Sequence, residues 1–351
     1  MEQKWIATED VFEKMWGMFL YFQNEATAKE LLYYSYVHLD EGDLKIQDKD
    51  EASIEDEASK MATLNTNKFI YFLKQGVAYL QSARNSEFIV RPLLQYYGMT
   101  SLMKALILKH DPYYPRKTSV LQHGITTRKK KKSHYRFTED EIKVQKHGLL
   151  PLFSQVVTRD PLPLHSKHTV IDLIATIPEL RDSYYLLYKE LTLLPISLKQ
   201  INSSTWEVAF DQSDAGEVPP FNQLLSLFSL GFQEGDSILS TDEKNASFTF
   251  FCHQVGEQHS HKQIFFDMKG NAYFFLRHPL TVTDEIAIFN MLSYLLGMLC
   301  RYDTELWGEL IFSFGSDEVY LIHELLQVCL RKFPNLVLNL LYNQRICFYH
   351  N

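Results

Sequence analysis

Cysteine is scarce in this sequence, with four residues among 351 and no C-x-x-C pair. The four thiols stand far apart, at Cys252, Cys300, Cys329 and Cys347. Such usage does not form a disulfide framework and is typical of a reducing compartment. Residues 1–15 also lack a basic segment followed by an apolar one, so we expect no signal peptide and a cytoplasmic protein.

Long apolar runs and an excess of positive charge are missing as well. The longest apolar run, residues 286–300, is interrupted by Asn290 and Ser293 and is shorter than the roughly 20 residues that span a bilayer. Acidic residues outnumber basic ones by 43 to 35, which gives a net charge of −8 and argues against nucleic-acid binding by the whole surface. We therefore expect no membrane partner and no general affinity for nucleic acid.

The sequence contains none of the common catalytic or cofactor motifs. There is no G-x-S-x-G, P-loop, G-x-G-x-x-G, H-E-x-x-H or kinase signature, and Arg91 has no histidine near enough for an R-x4–6-H nuclease motif. We therefore predict no catalytic residue and no cofactor, and favour a protein that is not an enzyme. Metal-ligand types occur at Cys252, His253, His259 and His261, but their spacing fits no zinc site, so we predict a polar hairpin there.

Aromatic residues, by contrast, make up 14% of the chain, which favours a compact core. Periodicity predicts an α+β protein that is mainly α-helical, with a small antiparallel β-sheet region near residues 198–280 and a helix at 219–233 inserted in it. We predict three regions that share one core: helical 1–195, sheet-containing 196–282 and helical 283–351.

Local signals predict where several of these elements begin and end. Asn24 and Thr283 are expected to cap helices, and residues 268–271 are expected to form a hairpin turn. In the C-terminal region we predict separate helices, at 303–313, 316–332 and 336–347.

Two charged segments interrupt these patterns. Residues 40–60 carry nine acidic residues and few large apolar ones, which predicts an exposed or partly disordered loop. Residues 128–132 read RKKKK inside the loop-rich region 111–165, and the pairs His123-Gly124 and His147-Gly148 flank them. The run is either a solvated loop or a loop that binds an anionic ligand or partner, including nucleic-acid phosphates.

Residues 83–110, ARNSEFIVRPLLQYYGMTSLMKALILKH, are the most informative stretch. We interpret them as one long buried helix, which either kinks or begins at Pro92. The small residues Gly98, Ser101 and Ala105 lie on one stripe, so another backbone can approach closely and the helix is expected at the centre of the fold.

Buried charges on this helix cost free energy unless they pair with opposite charges or bind a ligand. One interpretation is a ligand site, in which guanidinium groups hold a phosphate or carboxylate and tyrosine rings stack on a base. The other is an internal network of ion pairs with carboxylates of the C-terminal helices. The candidate ligand residues are Arg84, Arg91, Tyr96, Tyr97, Lys104, His123, His147 and Arg301.

The segments PLLQYYGMTSLMKAL, His123-Gly124 and LSYLLGMLCRYDTELW, with Arg301-Tyr302 and Trp307, resemble the YaaC-like family of Bacillus and related Gram-positive bacteria. The resemblance covers residues 10–347 and supplies no catalytic residues. It implies a link to purine metabolism, because family members are often encoded near IMP dehydrogenase. That link is genomic association and not chemistry.

Three functional hypotheses follow. The first is a cytoplasmic regulatory protein that docks on a protein partner, such as the purine-pathway enzyme IMP dehydrogenase. The second is a protein that binds a purine nucleotide, or an enzyme acting on one, through the cationic helix and Arg301. The third, based on residues 128–132, is an RNA-binding or RNA-cleaving protein.

Overall fold

The computed structural model describes residues 3–39, 44, 50–128, 135–202, 205–211, 219–231, 237–244, 247–253, 261–312 and 316–349. The α-helices in this part of the chain are α1 (Val11–Tyr21), α2 (Glu25–Val37), α3 (Glu51–Asn85), α4 (Arg91–His110), α5 (Leu149–Val156), α6 (Val170–Ile174), α7 (Arg181–Tyr188), α8 (Phe221–Leu230), α9 (Glu285–Tyr302), α10 (Thr304–Phe312) and α11 (Glu318–Tyr342). Short 3₁₀ helices lie at Thr118–Leu121, Phe137–Glu139 and Pro178–Leu180.

The strands form three separate sheets. They are β1 (Gln3–Ala7), β2 (Ile125–Arg128), β3 (Glu141–Val144), β4 (Lys167–Thr169), β5 (Leu193–Gln200), β6 (Thr205–Asp211), β7 (Ser237–Lys244), β8 (Ser247–His253), β9 (Ile264–Phe266), β10 (Ala272–Phe275) and β11 (Arg345–Tyr349). The largest sheet is antiparallel in the order β7-β8-β6-β5-β10-β9, and α8 lies in the chain between β6 and β7. The prediction of a mainly helical α+β protein with an antiparallel sheet in this region is confirmed.

Side-chain caps fix where several helices begin. The carboxamide of Asn24 accepts hydrogen bonds from the backbone N–H groups of Ala26 and Thr27, as predicted for the start of α2. Helix α9 begins one residue later than the sequence indicates. Its cap is Asp284, whose carboxylate accepts from the N–H of Ala287 at 2.8 Å, and not the neighbouring Thr283.

The acidic segment 40–60 is not a loop along its whole length. Helix α3 begins at Glu51, where the carboxylate of Asp50 accepts from the N–H of Ser53 at 2.9 Å. Ala58 is buried, whereas Glu51, Glu55 and Asp56 are exposed on the outer side of the helix. The prediction was wrong for residues 51–60 because it relied on their acidic composition and overlooked this cap and the apolar spacing that follows it. Residues 40–43 and 45–49 lie outside the described part of the chain.

Residues 83–110 are two helices and not one. Helix α3 ends at Asn85, and α4 starts at Arg91 with Pro92 in its first turn. Proline is favoured there because the first-turn N–H groups have no partner within the helix. The sequence left open whether Pro92 kinks a helix or begins one, and the structure shows that a helix begins there.

Helices α3 and α4 run antiparallel and touch at two glycines. A Cβ on Gly98 would lie 3.1 Å from the carbonyl oxygen of Gly76, and Leu80 would block it at 2.7 Å. The predicted close approach at the small-residue stripe of α4 is therefore confirmed. Since α3 covers this side of α4, the opposite side is left to pack against α9.

Two hydrophobic clusters form the interior. The main one joins helices from both ends of the chain, from Met15 to Phe348. The second lies between the six-stranded sheet and α8, and contains Phe210, Phe228 and Phe250. The boundaries at residues 195/196 and 282/283 stay a prediction.

The C-terminal region departs from the sequence prediction. Helix α11 continues through Pro334, where a break between 332 and 336 was expected. Residues Arg345–Tyr349 form a strand parallel to β1, so the predicted helix at 336–347 stops at Tyr342. Among the described helices, none is both long and apolar enough to cross a membrane.

Candidate functional site

The site forms on the side of α4 that faces α9. Tyr96 and Tyr97 project from successive positions of α4, and α9 contributes Tyr294 and Arg301, two helical turns apart. Gly297 lies between those two residues, and a Cβ there would be 3.7 Å from Cβ of Tyr96. The two helices therefore pack at ordinary side-chain distance around this group.

His123 reaches the same place because two loops meet at their glycines. A Cβ on Gly148 would lie 2.2 Å from Cα of Gly124, and both glycines have positive φ angles. The carbonyl oxygen of His123 also accepts a hydrogen bond from the N–H of Leu150, in the first turn of α5. The two histidine-glycine pairs are thus joined by a close backbone contact that positions His123.

Three rings pack against one another at the centre of the site. The ring centroids of Tyr96, His123 and Tyr294 are 5.2–5.4 Å apart. The hydroxyl of Tyr96 lies 2.6 Å from Nδ1 of His123. Burial, followed by the charges of Arg301 and Lys104, lowers the pKa of His123 below its ordinary value. The imidazole is therefore neutral at pH 7, and a Tyr96 hydroxyl that donates to Nδ1 leaves its proton on Nε2.

Arg301 is held by aromatic contacts. Its Nη1 donates to the hydroxyl of Tyr97 at 2.8 Å, and its guanidinium carbon lies 4.2 Å from the centroid of the Tyr302 ring. Its Nε is buried and has no hydrogen-bond partner among the described residues. A guanidinium with an unused donor is suited to binding a further acceptor.

Lys104 adds a second basic group to the site. Burial lowers the pKa of its ammonium group, which lies 6.0 Å from the centroid of the Phe72 ring. It is close enough to His123 to help lower the pKa of that imidazole. Within the described part of the chain, no ion pair joins Lys104, His123 or Arg301 to a carboxylate. We call this group the α4–α9 cluster: Tyr96, Tyr97, Lys104, His123, Tyr294 and Arg301.

Three of the eight candidate residues do not join this cluster. Arg84 is exposed near the end of α3, with its guanidinium carbon 4.0 Å from the centroid of the Phe12 ring. Arg91 donates from Nη2 to the carbonyl oxygen of Ser86 at 2.9 Å. His147 is exposed on the loop before Gly148. The break between α3 and α4 separates Arg84 from the face on which it was expected.

Tyr294 is the member that the sequence analysis missed. It lies within the segment LSYLLGMLCRYDTELW, two turns before Arg301, and this spacing places both on one face of α9. The same segment has a structural role through Trp307, whose Nε1 donates to the carbonyl oxygen of Ile89 at 2.8 Å. That bond anchors the turn that precedes α4.

The remaining charged and metal-type candidates lie elsewhere. Nε2 of His261 is 2.7 Å from the carbonyl oxygen of Phe228, and His259 is outside the described residues. No group of three or more metal-ligand side chains occurs among the residues that the structure describes. Of the basic run, Arg128 ends β2, while residues 129–132 fall outside the description, so RNA binding stays a prediction.

A family model described as YaaC-like protein matches residues 20–341. The chain belongs to the YaaC-like family. The matched range contains all six residues of the α4–α9 cluster and the Gly124–Gly148 contact that positions His123. No curated protein and no solved structure matches this YaaC-like chain.

Proposed function

We propose that this YaaC-like protein binds a small organic anion that carries a planar ring, of the purine nucleotide class, in the α4–α9 cluster. One observation carries the proposal: Lys104, His123 and Arg301 lie together, and no carboxylate among the described residues pairs with them. Clustered cations repel one another, and a bound anion would offset that repulsion.

Each part of the cluster has a counterpart in such a ligand. A phosphate accepts hydrogen bonds from a guanidinium and attracts an ammonium group, each charge-assisted bond contributing about 1.5–3 kcal/mol. Tyrosine rings such as Tyr97 and Tyr302 offer flat faces for a base, and stacking contributes about 1–3 kcal/mol. The neutral His123 imidazole can take up a proton when an anion binds beside it.

The test is calorimetric titration of the full chain with inosine and guanosine 5′-monophosphates. We expect saturable binding, and at least a tenfold loss of affinity in Arg301→Gln, which corresponds to about 1.4 kcal/mol. Arg84→Gln is the matched control, because Arg84 contacts Phe12 and not the cluster. Equal affinity in wild type and Arg301→Gln, or no heat of binding at millimolar nucleotide, would refute the proposal.

Docking on a protein partner is a second candidate, and one surface favours it. Leu64 and Tyr71 lie two turns apart on α3, with side chains 65% and 66% exposed, beside a groove also lined by Lys68 and Lys74. Exposed apolar side chains flanked by cations suit an acidic partner surface with an apolar centre. A cytoplasmic purine-pathway enzyme such as IMP dehydrogenase is the partner that the family resemblance implies.

This second candidate is tested by biosensor binding of purified IMP dehydrogenase from the same organism. Tyr71→Glu should abolish the interaction, because it places a like charge against an acidic surface. Tyr185→Glu is the control, since Tyr185 is also exposed but lies on α7. Binding that is the same in both variants would remove α3 from the interface.

A further inference from the structure

A groove that contains several basic side chains lies at the C-terminal end of α4. It has a volume of about 490 Å³ and opens between α2, the ends of α4 and α11, and the loop after α5. Its lining includes Tyr21, Glu30, Tyr34, Lys109, His110 and Arg159. None of them belongs to the α4–α9 cluster, so this groove is a different place on the molecule.

The floor of the groove brings together three basic side chains. Lys109 donates from Nζ to the carbonyl oxygen of Leu340 at 2.9 Å, and burial lowers its pKa to about 8. Burial, followed by the charges of Lys109 and Arg159, lowers the pKa of His110 to about 3. The charges of Lys109 and Arg159 both disfavour the protonated form of His110, and a negative charge bound beside the imidazole would favour it.

His110 has an unused hydrogen-bonding capacity in this groove. No residue in the described part of the chain makes a hydrogen bond with its ring nitrogens, and no carboxylate there pairs with it or with Lys109. Glu30 is the acidic member of the lining. The partly exposed imidazole lines the groove, so a bound molecule can reach its unused ring nitrogens.

Aromatic and aliphatic side chains form the walls. The rings of Tyr21 and Tyr342 stack at 6.3 Å with an angle of 17° between their planes, and Phe22 packs on Tyr342 at 4.7 Å. Tyr21 and Tyr34 are each 57% exposed although they border a concave surface. Apolar walls around a few converging polar groups are the usual composition of a small-molecule site.

We propose that this groove is a second ligand site, which takes a small molecule with a carboxylate or phosphate group on an apolar body. The anionic group would lie against Lys109, His110 and Arg159, and the apolar body against Tyr21 and Tyr34. The proposal does not depend on the α4–α9 cluster. It concerns binding alone and involves no covalent step.

The test follows the histidine ring signals of the full chain, labelled with ¹³C-histidine, by NMR. The His110 signal is identified as the one missing from His110→Gln. Phenyl phosphate, inorganic phosphate and phenol are the three probes. We expect phenyl phosphate to move the His110 signal in a saturable way, with at least fivefold weaker effects from the other two, since each lacks one half of the recognised chemistry.

Two variants assign that response to the groove. Arg159→Gln should weaken phenyl phosphate binding at His110 at least fivefold, and this exposed residue can be changed with little effect on packing. Arg301→Gln should leave the His110 response unchanged while altering any response of His123. A His110 signal that does not move with 10 mM phenyl phosphate would overturn the proposal. A response to phenyl phosphate that is identical in Arg159→Gln would also overturn it. Equal responses to phenyl phosphate and inorganic phosphate would overturn the assignment of the apolar body to Tyr21 and Tyr34.

Discussion

Arg301 near the end of α9 donates a hydrogen bond to the hydroxyl of Tyr97 on α4 at 2.8 Å. A neutral phenol orients the guanidinium without cancelling its charge, in contrast to the bidentate carboxylate that holds Arg277. That arginine donates to Glu190 at 2.9 and 2.6 Å and to Asp172 at 2.9 Å. The same protein therefore pairs Arg277 with carboxylates and leaves Arg301 on a neutral hydroxyl, and this difference is why we propose Arg301 as the ligand-binding arginine.

Lys104→Met should stabilise the protein in the absence of ligand. The ammonium group is partly buried without a carboxylate partner in the described chain, so its removal relieves a desolvation cost while the aliphatic packing is kept. We expect the free energy of unfolding to rise by about 1 kcal/mol, together with weaker nucleotide binding. Urea denaturation measures the first effect and calorimetric titration the second.

Lys74→Met is the control for that change, because Lys74 is exposed on α3. Its free energy of unfolding should stay within about 0.5 kcal/mol of the wild type. If Lys104→Met were instead destabilised by 1 kcal/mol or more, Lys104 would have a stabilising role in the core and the ligand-binding interpretation would lose its main support.

Gly148→Ala should destabilise the fold strongly and displace His123. The added Cβ would lie 2.2 Å from Cα and 2.3 Å from the backbone nitrogen of Gly124, at a φ of +141°. Backbone atoms cannot give way as a flexible side chain can, so we expect a loss of about 3 kcal/mol or more in thermal denaturation.

Gly17→Ala is the contrasting variant within the same chain. Gly17 lies inside α1, is exposed, and would place its Cβ in open space. Alanine is the better helix former by about 0.5–1 kcal/mol, so this variant should be more stable than the wild type. Similar melting temperatures for the two variants would show that the Gly124–Gly148 contact does not constrain the loops.

Glu318→Ala should cost about 3 kcal/mol. Its buried carboxylate accepts from the backbone N–H groups of Phe137 and Thr138 and from the Thr138 hydroxyl, which together hold the 3₁₀ helix against α11. Removing it leaves buried donors without an acceptor. Asp317→Ala is the neighbouring control, because that carboxylate is exposed and its ion pair among the described residues is a long one, to Arg136 at 3.4 Å. Equal effects of the two variants in urea denaturation would refute this account.

Stability should fall below pH 6.5 partly because of His110. Its pKa is about 3 in the folded chain, so between pH 6.5 and 3 the unfolded state binds more protons. The stability that the neutral His110 contributes is complete above pH 6.5, and it is lost at up to about 1.4 kcal/mol per pH unit as the pH falls. Between pH 7 and 5, the free energy of unfolding of His110→Gln, measured by chemical denaturation, should therefore fall by up to about 2 kcal/mol less than that of the wild type. His147→Gln, at an exposed residue outside the groove, is the control for replacing a histidine, and a His110→Gln curve parallel to wild type would contradict the assignment.

Local signals predicted much of the fold. The cap at Asn24 and the turn before Asn271 each act through neighbouring residues, and each occurs as expected. Pro92 lies at a helix start, which is one of the two alternatives that the sequence left open. The failure at residues 51–60 was local, because the acidic composition hid the cap at Asp50. At Pro334 distant residues decide, because this residue is buried inside α11 and Lys332 beside it pairs with Glu179 and Glu285 from other parts of the chain.

The candidate site shows the same division. Sequence reasoning selected Tyr96, Tyr97, Lys104, His123 and Arg301 as separate residues, because unusual charges and aromatics mark them individually. Their proximity depends on the packing of α4 against α9 and on the contact between Gly124 and Gly148, which joins two loops that are separated in the sequence. Arg84 was grouped with them because one continuous helix was assumed where the chain turns.

The most direct test of the account follows the His123 ring signal by NMR as guanosine 5′-monophosphate is added to the full chain at pH 7. The free imidazole is neutral, because burial, Arg301 and Lys104 lower its pKa. A phosphate bound beside it should raise that pKa and move the signal saturably toward the imidazolium position, and Arg301→Gln should weaken this response at least tenfold. A His123 signal that stays fixed at millimolar nucleotide, or that moves equally in Arg301→Gln, would contradict a ligand site in the α4–α9 cluster.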